Sequence, residues 1–477
     1  MKSAKIFVCV LLVLLLFAPA NRAASEIVLT HVTVIDTTGG SPKADQTVII
    51  RGSHIASVEP SANVTPPKSA RVIDAHGRFL IPGLWDMHVH IAGLAADPIW
   101  SKHVLLPLLL ANGITGVRDM GGDLSSLLEW KREIEGGSLL APNIVAAGPF
   151  LTAGGRKAPE QLPVTNVADA RAAVRELKNH GADFIKIISL PSKEVFFAVA
   201  DECKKQNIPF VGHLPMQVSA AEASSAGMRS IEHLFYSAFS LSLSSKEEEL
   251  RPRLVEAERK GDSAAWEQIQ QEADATYSKE KAAALFATLK KNGTWVTPTL
   301  TSLDISGHPE NWKMDDTQLA FVPSAISAQW RTSLSDPELK SRAAWLARQG
   351  ANDWKLTGEL HRAGIPLLVG SDSLDPFVIP GDSLHQELSE LVRAGLTPAE
   401  ALQAATRGAA QFLGREKDFG SIEKGKRADL VLLAANPLEN IANTRKIDAV
   451  IRNGKYLDRV ALDKLLDDAK SAAANGK

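Results

Sequence analysis

Cysteine is nearly missing from this chain: two in 477 residues, Cys9 and Cys203. Cys9 lies in the N-terminal apolar run IFVCVLLVLLLFA. If that run is removed, Cys203 stands alone and no intramolecular disulfide can form. A thiolate metal site is excluded on the same ground. Cys203 falls in the helical-looking DECKKQ and reads as a packed or surface thiol rather than a nucleophile. Blocks of one charge are also absent, and the formal net charge is -2. That excludes the electrostatic footprint of a nucleic-acid binder or of a protein held on an anionic membrane. There is no tandem repeat and no low-complexity tract. The apolar run at the N-terminus is shorter than the ~20 residues that span a bilayer.

That run is preceded by Lys2 and Lys5 and followed by the small residues of APANRAAS. This is the charged, apolar, small-residue order of a secretory signal peptide. The expectation is a leader over 1–24, cut between Ala20 and Ala24, and a protein exported to the periplasm or outside the cell. No membrane attachment is expected after cleavage. A retained anchor is the competing reading.

The remainder has ordinary globular composition, 45% hydrophobic and 23% charged, and enough length for a barrel plus a second domain. Alternating strand patterns occur in IVLTHVTVIDT and QTVIIRGSHIASVEP. They return only in GSIEKGKRADLVLLAANP and DAVIRNGKYLD, punctuated by Gly-Lys and Asn-Gly turns. One small β domain built from both ends, 25–78 and 416–462, is therefore expected, with a tail over 463–477.

Between them, 79–415 alternates apolar runs with helical stretches: LIPGLWDMHVH, GITGVRDM, NIVAAGPFLT, ADFIKIIS, IPFVGH, SIEH, TWVTPTL and IPLLVGSD. Eight such units predict an α/β fold of the (β/α)8 TIM-barrel type. Two insertions, a charged and helical one at about 240–290 and another at about 303–350, follow the sixth and seventh runs, where barrel loops shape the mouth of an active site.

Five of these runs end in metal-type ligands: His88 and His90, then Lys186, His213, His233 and Asp372. Residues two apart in a strand share a face, so His88, His90 and Asp86 are expected together. Imidazoles with a carboxylate suit zinc or a similar transition ion. His88, His90 and Asp372 can hold one divalent ion, and His213 and His233 a second. Four neutral imidazoles and one carboxylate would leave two dications under-neutralised. A buried lysine has a lowered pKa, and its neutral amine can take up CO2 to give an anionic carbamate. Lys186 so carboxylated could bridge both ions. Such a pair supplies a nucleophile at neutral pH and polarises a carbonyl, with Asp372 as the base that moves the proton. Asp86, Arg118 and Asp119 are expected behind the ligands. Any of these residues alone reads as a packed histidine or a solvated strand-end charge; their recurrence at equivalent positions carries the assignment. His31, His54, His76, His103, His180 and His361 read as structural. His385 reads as solvent-facing, with a place in the pocket as the alternative.

The motifs PGLWDMHVH, GITGVRDMGG, FIKI, VGH, IEH, GSD and LTPAEALQAATRGAAQFLG together resemble the amidohydrolase superfamily. The likeness is to its branch of imidazolonepropionase-like proteins and metal-dependent prolidases or Xaa-Pro-type dipeptidases. It implies a barrel carrying a β-sandwich built from both ends, a binuclear zinc centre and a carboxylated lysine, with the same six ligands. Two departures fall where substrate is chosen. Dipeptidases of this branch often read GGHG after the third strand, where this chain has GGRK with Arg156 and Lys157. They often read EHG after the sixth, where this chain has EHLFY with Tyr236. Arg156 could fork onto a substrate carboxylate, and Tyr236 could donate to that carboxylate or to a developing oxyanion.

The expected activity is cleavage of a C–N amide bond in a dipeptide or N-acyl amino acid, on a small molecule with a free carboxylate. A cyclic-amide hydrolase, a heterocycle deaminase, or an esterase, lactonase or phosphotriesterase-like enzyme are the enzymatic alternatives. A non-catalytic barrel is the alternative from another class. Homo-oligomerisation is left open.

Overall fold

The computed structural model describes residues 26–93, 97–155, 157–234, 238–308, 316–333, 337–373 and 377–475. The leader expected over 1–24, Arg156 and Tyr236 lie outside the described residues. Five strands come first: β1 (Ile27–Val34), β2 (Lys43–Arg51), β3 (His54–Pro60), β4 (Arg71–Asp74) and β5 (Phe79–Pro82). β1 pairs antiparallel with β2, and runs parallel to β4 through its first half and to β5 through its second.

Nine strands follow: β6 (Leu84–Val89), β7 (Ile114–Asp119), β8 (Asn143–Ala146), β9 (Phe150–Thr152), β10 (Gln161–Pro163), β11 (Ile185–Ile187), β12 (Phe210–Gly212), β13 (Ser230–Glu232) and β14 (Trp295–Thr297). They form two parallel sheets, ordered β6-β7-β8 and β10-β9-β11-β12-β13-β14. The third apolar run is thus two strands, broken around Gly148, whose φ is +69°. The eighth run forms no regular strand. Its Leu367 makes one isolated parallel bridge, to Val296, and Ser373 just beyond it makes another, to Val89. Leu368 N donates to Val296 O (2.9 Å), and Met87 N to Val369 O (2.8 Å). At the other edge, Asp183 N donates to Ala146 O (2.8 Å).

The crossover helices show why these segments coil. Val167–Asn179 buries Ala170, Ala173, Val174 and Leu177, one stripe at helical spacing. Asn166 caps its start by accepting from Ala168 N and Asp169 N, and Gly181 follows its end at φ +95°. Ala220–Ser225 starts in a reciprocal capping box of Ser219 and Glu222. The first insertion is helical throughout, in Glu247–Lys260, Ser263–Ala275 and Lys279–Asn292.

Three last strands, β15 (Leu430–Leu433), β16 (Ile447–Arg452) and β17 (Lys455–Asp458), return to the first five. β15 pairs antiparallel with β5, giving one eight-stranded sheet from both chain ends, ordered β17-β16-β15-β5-β1-β2-β3 with β4 on β1. The β16–β17 turn uses Asn453 (φ 50°) and Gly454 (φ +74°), the pair a tight hairpin favours. Leu29, Val48, Ile50, Leu80, Leu430 and Ile451 make a shared core from the two ends, each such residue worth roughly 1.5–3 kcal/mol on burial. Arg452 ties this sheet to β8, donating to Ala141 O (2.7 Å) and Asn143 Oδ1 (3.1 Å) while paired with Asp429 (2.9 Å). The C-terminal stretch is a helix, Arg459–Ala474, with Leu462 and Ala469 buried. Among the described residues no helix is long and apolar enough to cross a membrane.

His385 corrects its expectation. It is fully buried in the helix Asp382–Arg393, with Nδ1 at Thr444 Oγ1 (2.9 Å) and Nε2 at Asn112 O (3.0 Å). Burial pushes its pKa down to about 4. Cys203 is packed inside the helix Lys193–Gln206, and burial raises its thiol pKa.

Gly212, at the end of β12, has φ +139°, and a Cβ there would overlap the Ile187 carbonyl oxygen. Gly212→Ala is expected to destabilise the fold by about 1–3 kcal/mol or more, read from the urea midpoint. A shift under about 0.5 kcal/mol would show that β11 and β12 can part without cost.

Candidate metal centre

Parallel pairing places the C-terminal ends of these strands together, and the ligand-type residues lie there. His88 is inside β6 and His90 just beyond it. Lys186 is the middle residue of β11, while His213 and His233 directly follow β12 and β13. Asp372 arrives from the eighth run, its N–H donating to His88 O (2.8 Å). Gly370 allows that approach, since a Cβ there would meet His88 Cβ at 2.5 Å.

The Asp372 carboxylate is the hub. Its Oδ1 lies 3.4 Å from His88 Nε2 and 3.5 Å from His90 Nε2, and its Oδ2 lies 3.7 Å from His233 Nε2. Ligand atoms of His88, His233 and Asp372 all fall within 4.8 Å of one another. The His213 ring stands edge-on to that of His233, with centroids 4.7 Å apart. Two members have left-handed backbones, His233 at φ 59° and Asp372 at φ 55°, as does Thr299 at φ 51°. Non-glycine residues held there cluster at functional sites.

Each of three imidazoles is fixed through Nδ1. His88 donates to Glu232 Oε2 (3.0 Å) and His90 to Gly121 O (3.3 Å). His233 Nδ1 lies 2.6 Å from Thr299 Oγ1. The Thr299 hydroxyl donates to Pro298 O (2.8 Å), so it accepts from His233. This arrangement leaves the Nε2 lone pairs facing the hub, the tautomer a metal ligand needs.

Lys186 is 1% exposed, and among the described residues its Nζ has no hydrogen-bond partner. Burial pulls its pKa down to about 8, against the opposing charges of Glu232 and Asp372. Burial would raise the Asp372 carboxyl, but His88, His233 and His90 outweigh it and hold it well below the usual range. Burial also lowers His88 and His213, helped by the Lys186 charge, and takes His233 down to about 4. His90 goes the other way: its contact with Asp372 outweighs burial and raises its pKa. Neutral imidazoles at His88, His213 and His233, an ionised carboxylate and a buried amine at a lowered pKa fit a metal centre with a carboxylated lysine.

Asp86, Asp119 and Arg118 pack behind these side chains. Asp86 accepts from Ser371 Oγ (2.6 Å), Ser371 N (3.0 Å) and His88 N (3.2 Å), fixing the segment that delivers Asp372. Asp119 accepts from Ile91 N (2.7 Å) and Gly121 N (3.1 Å), bracing the loop that orients His90. Burial raises these carboxyls, Asp86 to about 7 and Asp119 to about 6. Arg118 donates to both Glu232 oxygens at 2.9 Å, to Met87 O (2.6 Å) and to Ser230 Oγ (3.1 Å).

Three further residues are not apparent from the sequence. Glu232 anchors His88 and Thr299 anchors His233. Glu387 accepts from Leu300 N (3.1 Å) and Thr301 N (2.8 Å), holding the turn that carries Thr299. Only Glu232 has a signal, a charged residue inside the short apolar run SIEH.

A cavity of about 710 Å³ opens beside His213. A larger one, about 920 Å³, opens at the opposite ends of the strands, around Asn143, Pro209 and Arg229. It shares only Arg118 with the groups described here, so the smaller cavity is the one joined to the chemistry.

Comparison with known proteins agrees over most of the length. The sequence model of the amidohydrolase family matches residues 79–457. An ochratoxinase of Aspergillus niger is 24% identical over 513 aligned residues, covering 95% of this chain and 91% of that protein. An imidazolonepropionase of Shouchella clausii is 37% identical, but over only 30% of this chain and 32% of its own length. Among solved structures, bottromycin amidohydrolase superposes with a TM-score of 0.69 at 24% identity, covering 94% of this chain and 90% of that one. A Xaa-Pro dipeptidase with bound methionine gives 0.66 at 20% identity, covering 91% and 100%.

Proposed function

Because the chain belongs to the amidohydrolase family, we propose that it is an exported metal-dependent hydrolase cleaving the C–N amide bond of a dipeptide or an N-acyl amino acid. The observation that carries this reading is the convergence of three imidazole Nε2 atoms on Asp372, beside a buried Lys186 amine with no hydrogen-bond partner among the described residues. His88, His90 and Asp372 would hold one divalent ion and His213 and His233 the other, with carboxylated Lys186 serving both. Zinc fits this donor set. Bound there, two dications would acidify a water and polarise the scissile carbonyl. Asp372 takes the proton at attack and returns it to the departing amine nitrogen. Arg156, Tyr236 or both would meet the substrate's carboxylate.

The likeness to an amidohydrolase and a dipeptidase supports amide chemistry over ester or phosphotriester chemistry. The architecture we infer is a (β/α)8 barrel over 79–415 with a β-sandwich from 25–78 and 416–462. The backbone bonds joining the two parallel sheets at both edges support the barrel. A leader over 1–24 and a periplasmic or extracellular location rest on the N-terminal residue order alone.

The test is elemental analysis of protein expressed with bicarbonate, for wild type and Lys186→Ala. About two ions per wild-type chain are expected, falling to about one or fewer on substitution. One ion per chain, unchanged by the substitution, removes the carbamate bridge. A panel of dipeptides and N-acyl amino acids should release free amino acid. Release of ammonia instead would move the assignment to deamination or cyclic amides.

A further inference from the structure

We propose that the cavity beside His213 is a subsite for a bulky aromatic group on one side of the scissile amide, with Trp266 as its specificity-determining wall. The proposal rests on the amide-hydrolase reading above and deepens it to a substrate class. His213 is half-buried, whereas His88, His90 and His233 are buried, so the cavity reaches the proposed centre through this imidazole. On the strand side its walls include Ile188, Leu190, Leu214 and Met216, from the turns that follow β11 and β12. On the far side stand two indoles from the insertions, Trp266 in Ser263–Ala275 and Trp345 in Pro337–Arg362.

The two indoles meet edge to face, with centroids 5.6 Å apart and planes at 74°. Trp345 is only 2% exposed and cannot swing away. It therefore fixes the half-buried Trp266, which presents its remaining surface to the cavity. A pre-set aromatic wall binds an apolar ring at little entropic cost. Of the charged residues that line it, Glu258, Arg259, Asp262 and Arg342 are exposed and Glu267 is half-buried. At about 710 Å³ the cavity lies within the ~300–1,000 Å³ range of small-molecule pockets. A small acyl group such as acetyl would leave most of that apolar wall in contact with water.

The experiment compares kcat/KM on metal-loaded protein for N-benzoyl-alanine, N-acetyl-alanine and N-acetyl-phenylalanine. Wild type is expected to favour one of the two aromatic substrates over N-acetyl-alanine by about tenfold or more. Trp266→Ala is expected to lower that ratio about tenfold. Trp266→Leu, which keeps an apolar side chain against Trp345, is expected to lower it by a smaller factor. Calorimetric titration with benzoate, acetate, phenylalanine and alanine reads the same preference without turnover.

If no amide is hydrolysed but the aromatic ligand binds about tenfold tighter and needs Trp266, the amide reading fails and the subsite stands. If amides are hydrolysed with ratios within about threefold of unity, the subsite is overturned and the amide reading stands. A ratio unmoved by both substitutions in folded protein likewise overturns the subsite.

Discussion

Asp372→Asn is expected to lower kcat/KM by about 10³-fold or more, a loss in the range of removing a positioned acid–base group. Asparagine is the informative replacement because it changes charge and little else. Asn tolerates the left-handed backbone as well as Asp does, so φ 55° at this position can persist. The backbone bond from residue 372 to His88 O is likewise untouched. What disappears is the negative charge 3.4 Å from His88, 3.5 Å from His90 and 3.7 Å from His233, together with the proton acceptor. Steady-state kinetics at saturating metal should be paired with ion content. A rate loss at unchanged ion content assigns Asp372 to proton movement, and a parallel loss of ion assigns it mainly to ligation. A kcat/KM within tenfold of wild type, at unchanged ion content, would remove it from the reaction.

The ligand-type residues are legible in the sequence because chemistry-bearing side chains stop otherwise apolar runs, and parallel pairing then brings those stops together. His88, His90, His213, His233 and Asp372 need only that rule. The orienting groups are not legible, because each acquires its role from a partner remote in sequence: Thr299 from His233, Glu387 from Leu300 and Thr301, Glu232 from Arg118 and His88. The burial of His385 is hidden for a similar reason. Its helix carries polar residues that suggest a solvent face, yet His385, Glu387 and Leu388 are all fully buried because neighbours cover several sides. The terminal sheet follows from alternation at both chain ends, whereas the register of Leu80 on Leu432 and Ile81 on Val431 has no local signature. LLVGSD is the hardest run to read, since it contributes a single isolated bridge, at Leu367, where its apolar pattern predicts a regular strand.

Arg118 and Glu232 should separate stability from metal binding. Both are fully buried, and two 2.9 Å contacts join them. Arg118→Met leaves a carboxylate in the interior without its guanidinium, which costs about 3–5 kcal/mol. Lys186 is the other cation that acts on Glu232, and carboxylation of that lysine would remove its positive charge. The penalty should therefore be greater in bicarbonate-loaded protein than in protein depleted of CO2. Arg118→Met with Glu232→Leu removes both charges and should recover most of the loss, since apolar replacement of a buried pair is often neutral. Metal affinity should follow a different residue. His88 keeps its Nδ1 acceptor in Arg118→Met and loses it whenever Glu232 is replaced, so the double variant should bind metal about 10–100-fold more weakly despite its recovered stability. Urea unfolding of the metal-free protein and chelator competition of the loaded one read the two effects independently. If the double variant matched wild type in affinity, Glu232 would have no part in orienting His88, and the pair would be a structural ion pair alone.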